Sequence, residues 1–409
     1  MSKGCIRSSF LLFFLINKIF FMIKYSLGID ISMKMFHVCL SVIDNQQQIK
    51  VKACRKFTNN VAGFKELCDW IKKHYKQQDI PLHIIMEATG VYYEQCAMYL
   101  YKKGFTVIVV LPNKAKKYLQ ATGLKSKNDK IDAKGLAQMG AEKKLNPWQP
   151  MDDFYYTLRS LTRHHESLQN IKTNINNQLH ADNAGMYANK QVGKQLKNLI
   201  ETIDKQIAEI EKSIEDHIAS DSAVQQKVDG IIKIKGVGLM TVATLLAETN
   251  GFLLFENIPQ IVSYSGYDVV EDQSGKHIGK TKISKKGNSH IRRILHMPAF
   301  NVVRYKVSPF LQLFNRTLQK HNIKMKSYVA VQKKILIIIY SLWKRDHAFN
   351  EEYYKGTTTR DEELVQPSRL SFTEAVQVAQ KNSPETNQGY TRCTTVEVSL
   401  FAPSRLLQK

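Results

Sequence analysis

The chain is short of acid: 36 aspartates and glutamates stand against 59 lysines and arginines over 409 residues, a formal net charge of +23. Such an excess of cation favours polyanions, chiefly nucleic acid, with an affinity that falls steeply with salt. Cysteines are few and scattered at Cys5, Cys39, Cys54, Cys68, Cys96 and Cys393. None forms a CxxC or a Cys/His pair at zinc spacing, which excludes a zinc module and a disulfide framework and points to a reducing cytosol. Long apolar runs are also missing. The run at residues 10–16 lies behind Lys3 and Arg7 but is interrupted by Lys18, lacks a small-residue cleavage site and is too short to span a bilayer. A strand pattern begins only at Tyr25, so translation is expected to start at Met22, with residues 1–21 an upstream extension and no membrane partner.

What is there begins with an ordered series of elements. Residues 25–31, 36–43 and 49–57 read as three strands, the second and third joined by a polar turn at Asp44-Asn45. A helix follows with Val61, Phe64, Leu67, Cys68 and Ile71 on one face, then a strand at 82–86, a helix at 91–102, a strand at 105–111 and a stop at Pro112. Lys114 opens another helix, and the next carries the stretch Lys127-Asn128-Asp129-Lys130-Ile131-Asp132. A three-stranded meander followed by alternating helix and strand is the order of an RNase H-like (RuvC-like) α/β domain over residues 22–150; a doubly wound fold would alternate from the start. Gly28-Ile29-Asp30 also opens the phosphate site of actin-like ATPases, but no second glycine-rich loop follows to cradle a nucleotide.

This order places four acids. Asp30 ends the first strand and Glu87 the fourth, and strand ends of an open α/β sheet share one crevice. Asp129 and Asp132, three residues apart, lie on one helix face. Each acid alone reads equally as a cap or a solvated charge; together they form a carboxylate set suited to Mg2+, with Mn2+ as a substitute, beside a phosphodiester. Lys125, Lys127 and Lys130 supply cationic contacts around them.

After Pro147 and Pro150 the pattern turns helical. Leu158, Leu161, Leu168, Ile171 and Ile175, then Leu196, Leu199, Ile200, Ile203, Ile207 and Ile210 recur at helical spacing within residues 151–225, with a break near Asn183-Ala184-Gly185. This predicts a long helical hairpin or coiled coil that spaces and pairs subunits, or else a bundle within one chain. Residues 226–348 form a mainly helical domain. In it Gly236-Val237-Gly238 sits between two apolar helices, either as a helix-hairpin-helix whose backbone amides receive a phosphate or as a plain helical turn. Between positions 276 and 293 there are seven basic residues and no acid: Lys276, Lys280, Lys282, Lys285, Lys286, Arg292 and Arg293. Interleaved glycines and a helix from Ser289 favour phosphate contact there. From Glu351 onward the bias is lost, with seven basic and eight acidic residues, and residues 349–409 read as a weakly structured tail.

The chain resembles the DEDD transposases of bridge-RNA-encoding insertion sequences. The resemblance runs from about Ile23 to Arg345 and rests on Gly28-Ile29-Asp30, Glu87-Ala88-Thr89-Gly90, Lys127-Asn128-Asp129-Lys130-Ile131-Asp132-Ala133, Gly236-Val237-Gly238, Tyr264-Ser265-Gly266, Gln273-Ser274-Gly275 and Ile283-Ser284-Lys285-Lys286-Gly287-Asn288. It implies that Asp30, Glu87, Asp129 and Asp132 are the acids of a RuvC-like magnesium site, and that Ser274 is a nucleophile that attacks a DNA phosphate and holds the strand end. It further implies a composite site of acids and serine, a homo-oligomer, and a structured noncoding RNA that pairs with target and donor DNA. Without the resemblance, Ser274, Ser284 and Ser289 rank alike, save that Ser274 precedes a flexible glycine. The competing functions are a RuvC-like endonuclease that hydrolyses branched DNA and a nucleic-acid scaffold whose acids are structural.

Overall fold

The computed structural model describes residues 22–123, 128–271, 273–275, 277–279 and 281–355. The expected leader, most of the tail, and the cations Lys125, Lys127, Lys276 and Lys280 lie outside the described residues. The chain divides into two compact units, Met1–Asp153 and Phe154–Lys409.

The first unit is built on a five-stranded sheet of order β3-β2-β1-β4-β5. Strands β1 (Met22–Ile31), β2 (Met35–Asp44) and β3 (Ile49–Thr58) are the antiparallel meander; β4 (Leu82–Glu87) and β5 (Thr106–Val110) add in parallel beside β1. Helix α1 (Val61–His74) leads into β4 and α2 (Glu94–Lys102) into β5; α3 (Pro112–Ala121) and α4 (Asp129–Glu142) follow. The order is that of an RNase H-like domain. Leu27, Ile29, Ile31, Ile84 and Met86 alternate onto one face of the sheet and pack with Phe64, Leu67, Ile71, Ala97 and Leu100 of α1 and α2. The strand ends before Pro112, and Pro112 itself starts α3, two residues ahead of the Lys114 expected to open it; a missing N–H costs nothing there and the fixed φ suits the first turn.

Helix α4 covers the opposite face. Gly28 lies so close to it that a Cβ there would stand 2.1 Å from the Ala133 carbonyl oxygen and 2.3 Å from the Ala137 nitrogen. Further along the helix, a Cβ on Gly140 would meet the Ile85 side chain and the Ser26 hydroxyl. The helix therefore runs back along β1, small residue against small residue, with its first turn toward the Asp30 end of the strand.

In the second unit, α5 (Asp153–Ala184) and α6 (Lys190–Ala219) form an antiparallel hairpin. Leu168 and Ile175 of α5 pack with Ile203 and Ile207 of α6, and His165–Glu211 (3.0 Å) and Lys172–Asp204 (2.5 Å) link the two helices. The break falls where the Asn183-Ala184-Gly185 stretch predicts it. At the inner end, Leu158, Ile214 and Ile218 join one core with α7 (Ser222–Ile232), α8 (Leu239–Thr249) and α9 (Ile258–Tyr264). After the short strands β6 to β9 described below, α10 (Ser289–Ile294), α11 (His296–Arg304), α12 (Ser308–His321), α13 (Lys324–Arg345) and α14 (Glu351–Lys355) complete the unit.

Candidate active site

Strand alternation puts Ser26, Gly28 and Asp30 of β1 on the α4 face, and Ile85 and Glu87 of β4 on the same face. Ile29 pairs with Met86, so Glu87, one residue on, stands level with Asp30. Asn128 caps α4, its side chain accepting from the Ile131 nitrogen at 2.9 Å, and so sets Asp129 and Asp132 in the first turn. All four acids thus occupy one face of the sheet at one end. Asp30, Glu87 and Asp132 are half-buried, while Asp129 is 65% exposed. Among the described residues, no three His, Cys, Asp or Glu side chains converge into a group that could hold a metal ion. The four acids therefore fit a hard divalent cation by the chemistry of their oxygen donors, and share a face and an end of the sheet without being drawn into one coordination sphere.

His37 joins this corner, and sequence reading missed it. It is the cross-strand partner of Asp30 on β2, and its Nδ1 lies 3.4 Å from Asp129 Oδ2. Only the register of β1 with β2 could have signalled it. Lys56 of β3 is opposite His37 and adds a cation on the same face.

Ser274 sits on a hairpin arm. β6 (Val269–Val270) pairs with β9 (Lys282–Ile283), and β7 (Gln273–Ser274) with β8 (His277–Ile278). The second pairing lies within the segment bounded by the first, here called the arm, and in it Ser274 is opposite His277. Gly275, at φ +56°, supplies the left-handed conformation that turns the chain. Ser274 is exposed, as is Ser289 on α10. The Ser284 hydroxyl, at the base of the arm, accepts from the Lys286 nitrogen at 3.2 Å. Lys282, Lys285 and Lys286 are exposed along the return strand and base, and Lys130 is exposed on α4.

Both ends of the arm are held by the loop that follows it. The Ser284 nitrogen donates to the Asp268 carbonyl (2.8 Å), Lys285 nitrogen to Gly266 (3.1 Å) and Asn288 nitrogen to Tyr264 (2.7 Å). Behind them lies Glu248 of α8, its side chain 2% exposed. Arg163 of α5 grips its two oxygens at 2.7 and 2.9 Å, and Asn288 Nδ2 donates to it at 2.6 Å. Burial alone would push this carboxyl up; the hydrogen bonds from Arg163 and Asn288 and the positive charges nearby outweigh it and hold the group below its ordinary value. A depressed carboxylate stabilises the fold above its unfolded value and loses that contribution as pH falls through the folded one. The melting temperature of the wild type is therefore expected to drop more steeply than that of Glu248→Gln below the ordinary value of about 4.5. Parallel slopes in thermal melts would show that Glu248 is not ionised in the fold.

Two of the arginines expected to touch nucleic acid are engaged within the protein. Arg292 Nη1 donates to the Ser265 and Asn288 carbonyls at 2.9 and 3.2 Å. Arg293 pairs with Glu166 at 2.8 Å and also bonds Asn170, while His290 pairs with the same Glu166 at 2.6 Å. In the Gly236-Val237-Gly238 turn between α7 and α8 the two glycines differ. Gly236, at φ +99°, lies against Asn301 and Val302 of α11, so packing and conformation both require it; Gly238 caps α8 with open space around it.

An acid-bearing RNase H-like domain coupled in sequence to a basic helical domain is an arrangement suited to work on a polyanion, and the family profiles give its class: an enzyme that acts on DNA, of the transposase and recombinase type. Two family profiles match the chain, one described as Transposase, of the IS110 DEDD type, over residues 27–182, and one described as Transposase IS116/IS110/IS902 family over residues 229–315. The chain belongs to this IS110-type family of DEDD transposases. The pilin gene-inverting protein of Moraxella bovis is 28% identical over 82% of this chain and 100% of its own length, and that of Moraxella lacunata matches to the same extent. Among solved structures, Thermus thermophilus RuvC aligns at 11% identity over 30% of this chain and 99% of its own, with a TM-score of 0.24.

Proposed function

We propose that this enzyme cuts and rejoins DNA at the ends of its own mobile element and at a target, with Ser274 as nucleophile and Asp30, Glu87, Asp129 and Asp132 as ligands of Mg2+, or of Mn2+ in its place. The observation that carries this reading is the placement of all four acids on one face and at one end of the sheet. When bound there, a divalent ion would polarise a phosphate and stabilise charge on the attacking or leaving oxygen. The chain's own residues do the rest. Asn128 orients the two helical acids, and His37 holds Asp129. The Ser274 hydroxyl, exposed near the tip of the arm, attacks the DNA phosphorus: an Oγ–P bond forms, the bond to one deoxyribose oxygen breaks, and the serine proton leaves to a base. Attack by a free hydroxyl on that ester reverses the step and rejoins strands with no other energy source. Inversion of a pilin gene, named for the Moraxella relatives, is a rearrangement of that cut-and-rejoin kind.

The net charge and the exposed Lys130, Lys282, Lys285 and Lys286 support backbone contact with DNA and with an element-encoded structured RNA that reads sequence by pairing. Gly238 offers an open helix N-terminus to a phosphate. The outer half of the hairpin leaves Ile171, Val192 and Leu199 exposed, which supports pairing with a second copy as a coiled coil. Among the described residues no helix is long and apolar enough to cross a membrane.

The test uses the full-length protein with magnesium, labelled DNA carrying the element junction, and RNA from the element's noncoding flank. After proteolysis, a peptide joined to the DNA end through Ser274 is expected, and none in Ser274→Ala. Cleaved DNA with free ends would favour the hydrolytic endonuclease instead.

A further inference from the structure

Both sides of the serine arm trace back to one residue, Glu248: one to its backbone carbonyl and the other to its buried carboxylate. The outgoing strand leaves from Tyr264 to Tyr267, and the returning strand ends at Asn288. Tyr264 donates its hydroxyl to the Glu248 backbone carbonyl at 3.0 Å, and Asn288 donates its side-chain amide to the Glu248 carboxylate at 2.6 Å. Arg163, from a helix 85 residues away in sequence, closes the carboxylate from the other side. Below the outgoing strand, Tyr267 is fully buried and its hydroxyl donates to Gln332 at 3.0 Å. Gly287 and Gly266 are pressed together so tightly that a Cβ on Gly287 would stand 2.4 Å from the Tyr264 carbonyl and 2.6 Å from the Gly266 nitrogen. Asn288 also caps α10, its Oδ1 accepting from His290 and Ile291 at 2.9 and 3.3 Å. One side chain thus joins the arm's return strand, the following helix and the Glu248–Arg163 pair.

We propose that Glu248, through Asn288 and with Arg163 as counter-ion, is a positioning residue for the serine step: it fixes the direction in which the arm presents its tip. A two-stranded arm is marginally stable alone. Its tip position therefore depends on how rigidly its base is held, and a displacement of about 1 Å at a reacting atom can cost roughly 100-fold in rate. The Arg163–Glu248 pair suits this task because its geometry is bidentate and its carboxylate is buried, so that losing the half-exposed Arg163 leaves an uncompensated buried charge and not a small slack. The catalytic consequence rests on Ser274 being the nucleophile.

Asn288→Asp separates positioning from folding. Aspartate caps a helix as well as asparagine does, so α10 keeps its start, but the oxygen that replaces Nδ2 faces the Glu248 carboxylate and repels it at mildly alkaline pH. Asn288→Ser also keeps a capping oxygen but removes the amide donor without adding a charge, so it should disturb the arm less than Asn288→Asp does. In the full-length protein, with the junction DNA and flanking RNA above, Asn288→Asp is expected to form the covalent protein–DNA product at least about tenfold more slowly, and Asn288→Ser to fall between it and the wild type. DNA affinity should be unchanged in the uncharged Asn288→Ser variant. Hydrogen exchange across residues 269–283 without DNA should quicken in the order wild type, Asn288→Ser, Asn288→Asp. Unchanged exchange in both variants, or a rate loss without faster exchange, would overturn the positioning role. Ser274→Ala distinguishes the other failure. If it still forms the covalent product, the nucleophile is elsewhere and the catalytic role is overturned, whereas arm exchange still decides whether Glu248 and Asn288 hold the base.

Discussion

Glu87→Ala or Asp132→Ala is expected to remove DNA strand cleavage, lowering its rate by roughly 100-fold or more, while salt-sensitive nucleic-acid binding remains. Outer-shell partners of a metal ligand alone are worth about 10- to 100-fold, so loss of a ligand should cost at least the upper figure. Binding is carried elsewhere, by an excess of lysine and arginine that gives a net charge of +23, and neither substitution touches it. Both side chains are half-buried at the rim of the sheet, so the fold should survive. The paired measurement is a cleavage assay on labelled junction DNA and a binding titration at two salt concentrations. Cleavage retained by either variant would remove that residue from the ligand set. Loss of binding together with cleavage would point to a structural acid.

Gly28→Ala should strongly destabilise the first unit. The added Cβ falls 2.1 Å from one backbone atom of α4 and 2.3 Å from another, and backbone cannot rotate away as a side-chain tip can. Helix α4 must lift from β1, which we expect to cost about 3 kcal/mol or more. The melting temperature would then fall by roughly 10 °C. The same shift moves Asp129 and Asp132 relative to Asp30, so cleavage should fall further than stability alone explains. Gly104→Ala provides the contrast: a Cβ there meets nothing, so only the strain of its φ of +82° remains. Equal melting points for the two variants would mean that α4 does not lie on β1 as described.

Much of the first unit was legible because its strands obey a period of two. The alternation of Leu27, Ile29 and Ile31 with Ser26, Gly28 and Asp30 states that a strand is present with one apolar face, and it took the packing of α4 on Gly28 to show that the other face is covered too. The start of α4 was legible less well: the whole stretch from Lys127 to Asp132 reads as helix, and the structure begins the helix at Asp129 behind the Asn128 cap. The helix read from Val91 likewise starts only at Glu94. In the second unit the hairpin break could be read, since helix period and a Asn-Ala-Gly interruption are local signals. The serine arm could not. Its ladders are two residues long, too short for any periodic pattern, and exist because Tyr267, Gly287 and Asn288 hold their base.

By itself, then, the sequence determined what is local or additive: the charge that favours a polyanion, the element order of an RNase H-like domain, and the residue types able to hold a divalent ion or attack a phosphate. Tertiary structure alone decided which of these groups share a place. His37 meets Asp129 because strand register brings them together, and Arg163 meets Glu248 across 85 residues because α5 packs against α8. Arg292 and Arg293, indistinguishable in sequence from the lysines before them, are instead tied to Ser265 and Glu166. Pairings of this kind depend on distance between backbones that are remote along the chain, and no periodicity or composition encodes that distance.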